Sequence, residues 1–347
     1  MLVQVLVTSQ AVVLLVAAGL DYVVGDPWGW PHPVQAMGKV ISAYSRLVLG
    51  GLSGEEVTSG EAITSRRSHG SSHGSSKFWM RLAGMWLAAL LIVGSGGVSW
   101  AGLQVLGQIS PWLQQGGECV LLASCFAGRS LRRAADEVLG PLQVGDWVSA
   151  RQTLAMYVGR DTDQLSEAEI YRAVLETASE NAVDGVLAPL FYAIVGALVG
   201  LAGPVAIAYK AASTLDSMVG YRREPYTHLG WFSAKLEDAL TWLPCRMSVL
   251  AIAALSLHPA YVLRLCRRDA VNDPSPNAGW SECAYAAALG VQLGGINTYK
   301  GQRTAKPLLG EPTRPITPSI ISRAFALTRC CFLGGLAIGV LALIVMG

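Results

Sequence analysis

Apolar positions along this chain gather into long stretches without a charge: residues 1–20, 82–117, 185–209, 247–263 and 330–347. A helix that crosses a bilayer needs about 20 mostly apolar residues, so each run reaches or approaches that length. The second run is too long for one span, and Gly94-Ser95-Gly96-Gly97 predicts a break inside it. The fourth and fifth runs are short and need neighbours or tilt. The pattern predicts an all-α, polytopic integral membrane protein with about four to six membrane segments.

Between the runs the period changes. Over 118–158 apolar and charged positions alternate at helical spacing, as in "RSLRRAADEVLG", which predicts amphipathic helices beside the membrane segments. In "DQLSEAEIY" (163–171), Ser166 and Glu169 form a capping box, with Leu165 and Ile170 placed as a hydrophobic staple. The predicted helix runs about 18 residues to Asp184, with Gly185 as its stop. At 100° per residue, Glu169, Arg172, Glu176, Glu180 and Asp184 fall within an arc of about 120°. Tyr171, Val174, Leu175, Ala178 and Ala182 take the other side.

An ordinary solvated face explains Arg172 four residues before Glu176. It does not explain Glu176, Glu180 and Asp184 stacked at i,i+4, where like charges repel by a few tenths of a kcal/mol per pair. The stripe reads as a place built to hold positive charge at the membrane edge, directly before the 185–209 run.

Composition sharpens this picture. The 347 residues are 52% hydrophobic and only 14% charged, with a mean hydropathy of +0.41. A net charge of +2 argues against a nucleic-acid partner. The first run lacks the basic start and small-residue cleavage pattern of a signal peptide, and reads as a retained span. Lys and Arg occur in every connecting stretch, so the positive-inside rule fixes no orientation. The seven cysteines show no CxxC pair and no His/Cys metal spacing, and read as small apolar residues. Residues 50–76 are a Gly/Ser-rich tract whose His69 and His73 read as linker. The rest reads as a single membrane-embedded domain spanning 1–347, without an internal repeat. Near the far end, "DPSPNAGWSE" joins a rigid Pro-Ser-Pro to a turn and a helix start. Such a turn suits a phosphate on free backbone N–H groups, or equally an ordinary capped turn.

Taken together, six strings resemble the CbiB/CobD family of cobalamin biosynthesis, membrane proteins known as adenosylcobinamide-phosphate synthases. They are "LDYVVGDPWGWPHPVQAMGKVI" (20–41), "GRDTDQLSEAEIYRAVLETASENAVDG" (159–185), "APLFYAIVG" (188–196), "TLDSMVGY" (214–221), "SAKLEDALTWLP" (233–244) and "RDAVNDPSPNAGWSECAYAAALGVQLGG" (268–295). They stand in the family's order and cover nearly the whole chain. This chain departs from the pattern at Ser213, where an Asn is expected, at Glu237, where an Asp is usual, and in the 50–76 insert.

The resemblance implies an enzyme that joins adenosylcobyric acid to (R)-1-amino-2-propanol or its O-phosphate, giving adenosylcobinamide or its phosphate. A carboxylate resists attack by an amine, so activation by Mg²⁺ and ATP is expected. No G-x-x-x-x-G-K-[ST] occurs, and any nucleotide site is not a P-loop. On this reading Glu176, Glu180, Asn181, Asp184, Lys210 and Asp216 are the catalytic candidates, with Glu180, Asp184 and Asp216 as Mg²⁺ ligands. Asp26, His32, Arg160, Asp161, Arg222, Asp269, Ser275, Asn277 and Gly279 are the substrate- and phosphate-binding candidates. The implied setting is the inner cell membrane, crossed several times, with a corrinoid, an aminopropanol, the lipid bilayer and other cobamide-assembly enzymes as partners. A corrinoid transporter or receptor, or a scaffold for soluble enzymes, is the alternative.

Overall fold

A computed structural model describes residues 2–25, 32–53, 73–221 and 223–346. Helices α1 (Leu2–Val23), α2 (Pro33–Ser53), α3 (His73–Ile109), α4 (Pro111–Ala123), α5 (Gly128–Gln143) and α6 (Trp147–Ala155) form the first half. Then come α7 (Glu167–Ala182), a π-helical turn (Val183–Leu187), α8 (Ala188–Ala197), α9 (Ala202–Val219) and the short α10 (Tyr226–Leu229). Helices α11 (Trp231–Leu255), α12 (Pro259–Asp269) and α13 (Ala278–Leu289) precede a hairpin of β1 (Gln292–Tyr299) and β2 (Gln302–Gly310). Helix α14 (Pro318–Met346) follows it. The fold is all-α in class, with one antiparallel hairpin that helical periodicity did not predict.

Among the described residues three helices are long and apolar enough to cross a membrane: Lys77–Ile109, Trp231–Leu255 and Pro318–Met346. Ser9–Val23 is a shorter apolar helix. The predicted runs and the observed helices differ in instructive ways. Gly94–Gly97 do not break α3, because a helix packed on neighbours tolerates glycine at about 1 kcal/mol each. The chain turns instead at Ser110, which caps the Trp112 N–H at 3.3 Å, with Pro111 opening α4. The 247–263 run is divided between the end of α11 and α12, and the long apolar helix begins earlier, at Trp231, with Lys235, Glu237 and Asp238 in its first turns and Arg246 further on.

The 185–209 run is not a single helix either. It folds as a helical hairpin, α8 packing on α9 across a turn at 198–201, where Gly200 takes φ +74°. Gly185 does not stop α7, since the helix continues through the π turn into α8. Pro189 supplies the reason for the irregularity. It has no N–H to give to the carbonyl four residues back, which is Gly185. That carbonyl instead accepts from the Ala127 N–H at 3.0 Å, at the start of α5.

The core runs through every helix layer, with Leu14, Leu87, Leu122, Ile170, Leu215 and Tyr285 fully buried. Glu118 of α4, buried among apolar helices, accepts from Gln10 Nε2 at 3.0 Å and from the Gly203 N–H at 3.1 Å. A carboxylate there meets the positive end of α9. All seven cysteines are free, and six are buried, as small apolar residues would be.

Candidate functional site

The capping box is formed as the sequence implies. The Ser166 hydroxyl accepts from the Glu169 N–H at 3.4 Å, and Glu169 Oε2 accepts from the Ser166 N–H at 2.8 Å. It starts α7 with the acidic stripe facing the rest of the protein, but the stripe divides into two chemically different parts.

Glu176, buried at 2% exposure, belongs to a clamp. Its Oε2 accepts from Arg160 Nη2, its Oε1 accepts from the Gly294 N–H at 2.9 Å, and Arg172 Nε lies 3.9 Å from Oε1. Arg160 also donates to Asn297 Oδ1 at 3.0 Å, and Arg172 donates to the carbonyls of Gly294 and Ile296. Gly294 makes this possible: at φ +83° it sits in a bulge of β1, where an added Cβ would lie 1.8 Å from the Pro307 carbonyl oxygen. Asp161 completes the fastening, accepting from the Lys300 and Gly301 N–H groups at 2.9 and 2.7 Å in the hairpin turn. Glu176, Arg160 and Asp161 therefore hold the hairpin to α7, with their polar atoms occupied by protein.

Beyond the clamp, acids converge. Glu180 on α7, Asp184 in the π turn, Asp216 on α9 and Glu237 on α11 lie within electrostatic reach of one another, and Glu180 also senses Asp273. Glu282 of α13 joins them, as does Lys306 of β2, whose Nζ lies 3.8 Å from Glu282 Oε1. Lys210 of α9 faces Asp184. The carboxylates outnumber the ammonium groups of Lys210 and Lys306. Glu237 and Glu282 are buried, whereas Glu180, Asp184, Lys210 and Asp216 keep partial solvent access. Neither oxygen of Glu282 has a hydrogen-bond donor among the described residues.

Burial raises the Glu180, Asp184 and Glu282 carboxyls above their ordinary range, and neighbouring acids raise them further. Asp216 rises to about 6, again through burial first and then through Asp238 and Glu180. For Lys306, burial favours the neutral amine, but Glu282 and Glu180 outweigh it and raise its pKa. The result is a set of acids that lack enough positive charge, which is what a cationic ligand would supply.

The π turn belongs to this arrangement. Such irregularities recur at functional sites because an extra residue in a turn re-aims its side chains. Asn181, by contrast, is exposed and donates to the Thr177 carbonyl at 2.9 Å. The structure does not bring it into the carboxylate cluster.

The turn at 273–282 differs from the expected anion seat. The Ser275 hydroxyl accepts from the Asn277 and Ala278 N–H groups at 3.3 and 3.1 Å, and Asp273 Oδ1 accepts from the Ser275 N–H at 2.8 Å. The N–H groups of Ser275, Asn277 and Ala278 are thus bound by the turn's own side chains, and those of Trp280 and Ser281 by the Asn277 carbonyl. Asn277 Nδ2 donates to the Asp238 carbonyl at 2.9 Å and ties α13 to α11. Gly279 is required by space, since a Cβ would lie 2.4 Å from that of Asp273. Asp269 is engaged by Arg268 and by the Gly310 N–H at 3.0 Å, which fastens α12 to β2. His32 accepts from the Val34 N–H at 3.2 Å at the start of α2, and Gly38 of that helix packs against Met218, two residues from Asp216. Asp26, Arg222 and most of the 50–76 insert, His69 included, lie outside the described residues.

Could these acids hold a metal? Their oxygen donors suit a hard divalent cation. Among the described residues, however, no three His, Cys, Asp or Glu side chains meet at metal-binding distance. Glu180, Asp184 and Asp216 are therefore not a preformed three-ligand cage. Mg²⁺ that arrives with a nucleotide needs only one or two protein carboxylates beside phosphate oxygens and water, and Glu282, which accepts no hydrogen bond among the described residues, and crowded Glu180 fit that requirement. Glu237, Glu282 and Lys306 were not singled out as site residues from sequence. "SAKLEDALTWLP" and "GWSEC" placed acids in otherwise apolar helices, and that was the available signal for the first two. Lys306 stands in a hairpin that was not predicted.

Comparison with known proteins identifies the family. A family profile described as CobD/Cbib protein matches residues 14–328. A cobalamin biosynthesis protein CobD from Synechocystis is 47% identical over 325 residues, covering 93% of this chain and 89% of that protein. A cobalamin biosynthesis protein CbiB from Salmonella typhi is 41% identical over 314 residues, 89% of each chain. A CobD from Citrobacter koseri is likewise 41% identical over 314 residues, 89% of each chain. No solved structure matches.

Proposed function

This chain belongs to the CobD/CbiB family of cobalamin biosynthesis proteins, and from that premise we propose that it is an amide-forming ligase of the cell membrane. It joins the free carboxylate of adenosylcobyric acid to the amine of (R)-1-amino-2-propanol or its O-phosphate, and releases adenosylcobinamide or its phosphate. The observation that carries this reading is the cluster of Glu180, Asp184, Asp216, Glu237 and Glu282, short of positive charge and partly open to solvent.

Two problems in the chemistry match what the cluster offers. The substrate amine is protonated near neutral pH, and must be bound as a cation and then lose a proton before it attacks. Glu180 and Asp184, whose burial and acidic neighbours raise their proton affinity, are the carboxylates placed to take that proton. The substrate carboxylate is the second problem, since it repels a nucleophile and has no leaving group. Mg-ATP, held beside Glu180 and Glu282, would supply the activation: phosphorylation of that oxygen would release ADP, and attack by the amine would then expel phosphate. Lys306, whose pKa the acids raise, and Lys210, beside Asp184, orient and neutralise the negative charge of the reacting groups. The clamp of Glu176, Arg160 and Arg172 keeps β2, and hence Lys306, in register with α7.

Three long apolar helices and the shorter Ser9–Val23 support a protein that crosses the inner membrane several times, with the hairpin α8–α9 entering between them. The test is a reaction with purified protein in lipid nanodiscs, adenosylcobyric acid, Mg-ATP and either amine, read by mass spectrometry. The product mass appears with one or both amines and disappears when ATP or Mg²⁺ is omitted. A protein that binds the corrinoid with all components present and yields no product is a receptor or transporter instead.

A further inference from the structure

Away from the carboxylate cluster, a cavity of about 1250 Å³ opens between α1, α5 and α14. Its two ends differ in character. One end is lined by Leu15, Ala18 and Gly19 of α1 and by Phe332, Leu333 and Leu336 of α14. The other end is lined by Arg129, Arg132 and Arg133 of α5, by Arg329 of α14 and by Tyr22 of α1, with the carboxylates of Asp21, Asp136 and Glu137 among them, so four guanidiniums face three acids. Helices α1 and α14 pack antiparallel here: Arg329, in the first half of α14, donates to the Tyr22 hydroxyl near the end of α1, at 3.2 Å, while Leu15 and Leu336 line the same cavity. At 1.5 Å per residue, Arg329 and Leu336 are separated by roughly 10 Å along the helix. Charge therefore changes to hydrocarbon within the length of a few acyl carbons.

The arginines are not equivalent. Arg132 and Arg133 are held by Asp136 and Glu137, at 3.7 and 2.9 Å. Arg129 donates to the Tyr22 carbonyl at 2.7 Å, and the Arg329 guanidinium lies 4.1 Å over the Tyr22 ring. Among the described residues neither Arg129 nor Arg329 is paired with a carboxylate. Two guanidiniums where the apolar lining of α1 and α14 ends, with a tyrosine between them, have the arrangement that receives a lipid phosphate at the membrane surface.

We propose that this cavity seats one anionic phospholipid of the surrounding bilayer, its phosphate on Arg129 and Arg329 and an acyl chain between α1 and α14. The alternative occupant is the corrinoid, whose rim of amides needs hydrogen-bonding partners on all sides. The inner end of the cavity is lined by aliphatic side chains, Gly19 and Phe332, and the hydroxyl of Thr328 beside it is already bonded to Tyr285 and the Ala324 carbonyl. The cavity also touches the reaction region through Val186, in the same π turn that carries Asp184. A bound lipid would thereby brace the turn from its membrane side.

The test uses native mass spectrometry of the full-length protein released from nanodiscs of phosphatidylcholine with a minor fraction of phosphatidylglycerol. Wild type retains phosphatidylglycerol in preference to phosphatidylcholine. The double variant Arg129→Ala, Arg329→Ala reduces that retention by roughly tenfold or more, given the usual contribution of each basic residue near anionic lipid. Gly19→Phe tests the other end: a Cβ at Gly19 meets nothing within 4 Å, so the ring enters the cavity without displacing protein. It reduces retention while the arginines remain. Retention unchanged in both variants, or no preference for the anionic lipid in wild type, overturns the proposal. Loss of adenosylcobyric acid binding in Gly19→Phe with lipid retention intact also overturns it, and assigns the cavity to the corrinoid.

Discussion

Replacing Glu176 by Gln separates the two roles an acid in this stripe can have. The carboxylate is buried and satisfies Arg160, the Gly294 N–H and, at longer range, Arg172. The amide keeps the shape but removes the charge, leaving two guanidiniums facing each other with no anion between them. Breaking a buried pair in this way costs about 3–5 kcal/mol. The loss falls on the attachment of β1 to α7, because Gly294 N–H is one of the bonds weakened. At 1.4 kcal/mol per tenfold, even the lower figure corresponds to hydrogen exchange faster on the order of 10²-fold. Exchange read by mass spectrometry on peptides covering Gln292–Tyr299 in nanodiscs measures this directly. The expected result is fast exchange there, unchanged exchange in α3, and amide synthesis that recovers as temperature is lowered. Unaltered exchange together with abolished synthesis would refute the reasoning and return Glu176 to the chemistry.

Three further perturbations follow from the same structure. Asp216 binds its proton more tightly when folded, with a pKa of about 6 against 3.8, so its contribution to stability is full below about pH 4 and is lost as pH rises through 6. The ceiling is about 3 kcal/mol before solvent screening reduces it; melting temperature against pH should show the decline, and Asp216→Asn should flatten it. Mg-ATP should raise the melting temperature at pH 7.5, by the equivalent of about 2.7 kcal/mol at a hundredfold excess over its dissociation constant, whereas ATP with a chelator should not; equal shifts would remove the metal from the account. Gly279→Val forces a Cβ against Asp273 and the Ala270 carbonyl, so the protein should accumulate poorly, with unchanged Michaelis constants for both substrates in the folded fraction. A selective rise for the phosphorylated amine would restore the phosphate seat.

The parts of this fold legible in the sequence are those governed by local rules. The capping box at Ser166, the apolar helices and the self-repelling acids each follow from a few neighbouring residues. What failed required distant partners. Gly185 reads as a helix stop, but the loss of one bond at Pro189 is made good by Ala127, more than fifty positions earlier. The 185–209 run reads as a span because hydropathy cannot distinguish one long helix from two that pack on each other. Glu176 and Glu180 are indistinguishable on a helical wheel. Arg160 and the β1 bulge separate them, and neither is visible from α7. Lys306 was missed for the same reason, since its role depends on a hairpin that lies against α13.

The central claim is that the carboxylate cluster at the π turn makes the amide bond, and the rate of adenosylcobinamide formation by Glu180→Gln protein tests it most directly. Glu180 stands outside the clamp, so the variant should insert, accumulate and show wild-type hydrogen exchange across the hairpin. With adenosylcobyric acid, Mg-ATP and the preferred amine in matched nanodiscs, its rate should fall by about 10²-fold or more, the usual loss when one preorganised electrostatic group is removed. A folded Glu180→Gln protein that forms product at the wild-type rate would contradict the account and leave the cluster without a part in the reaction.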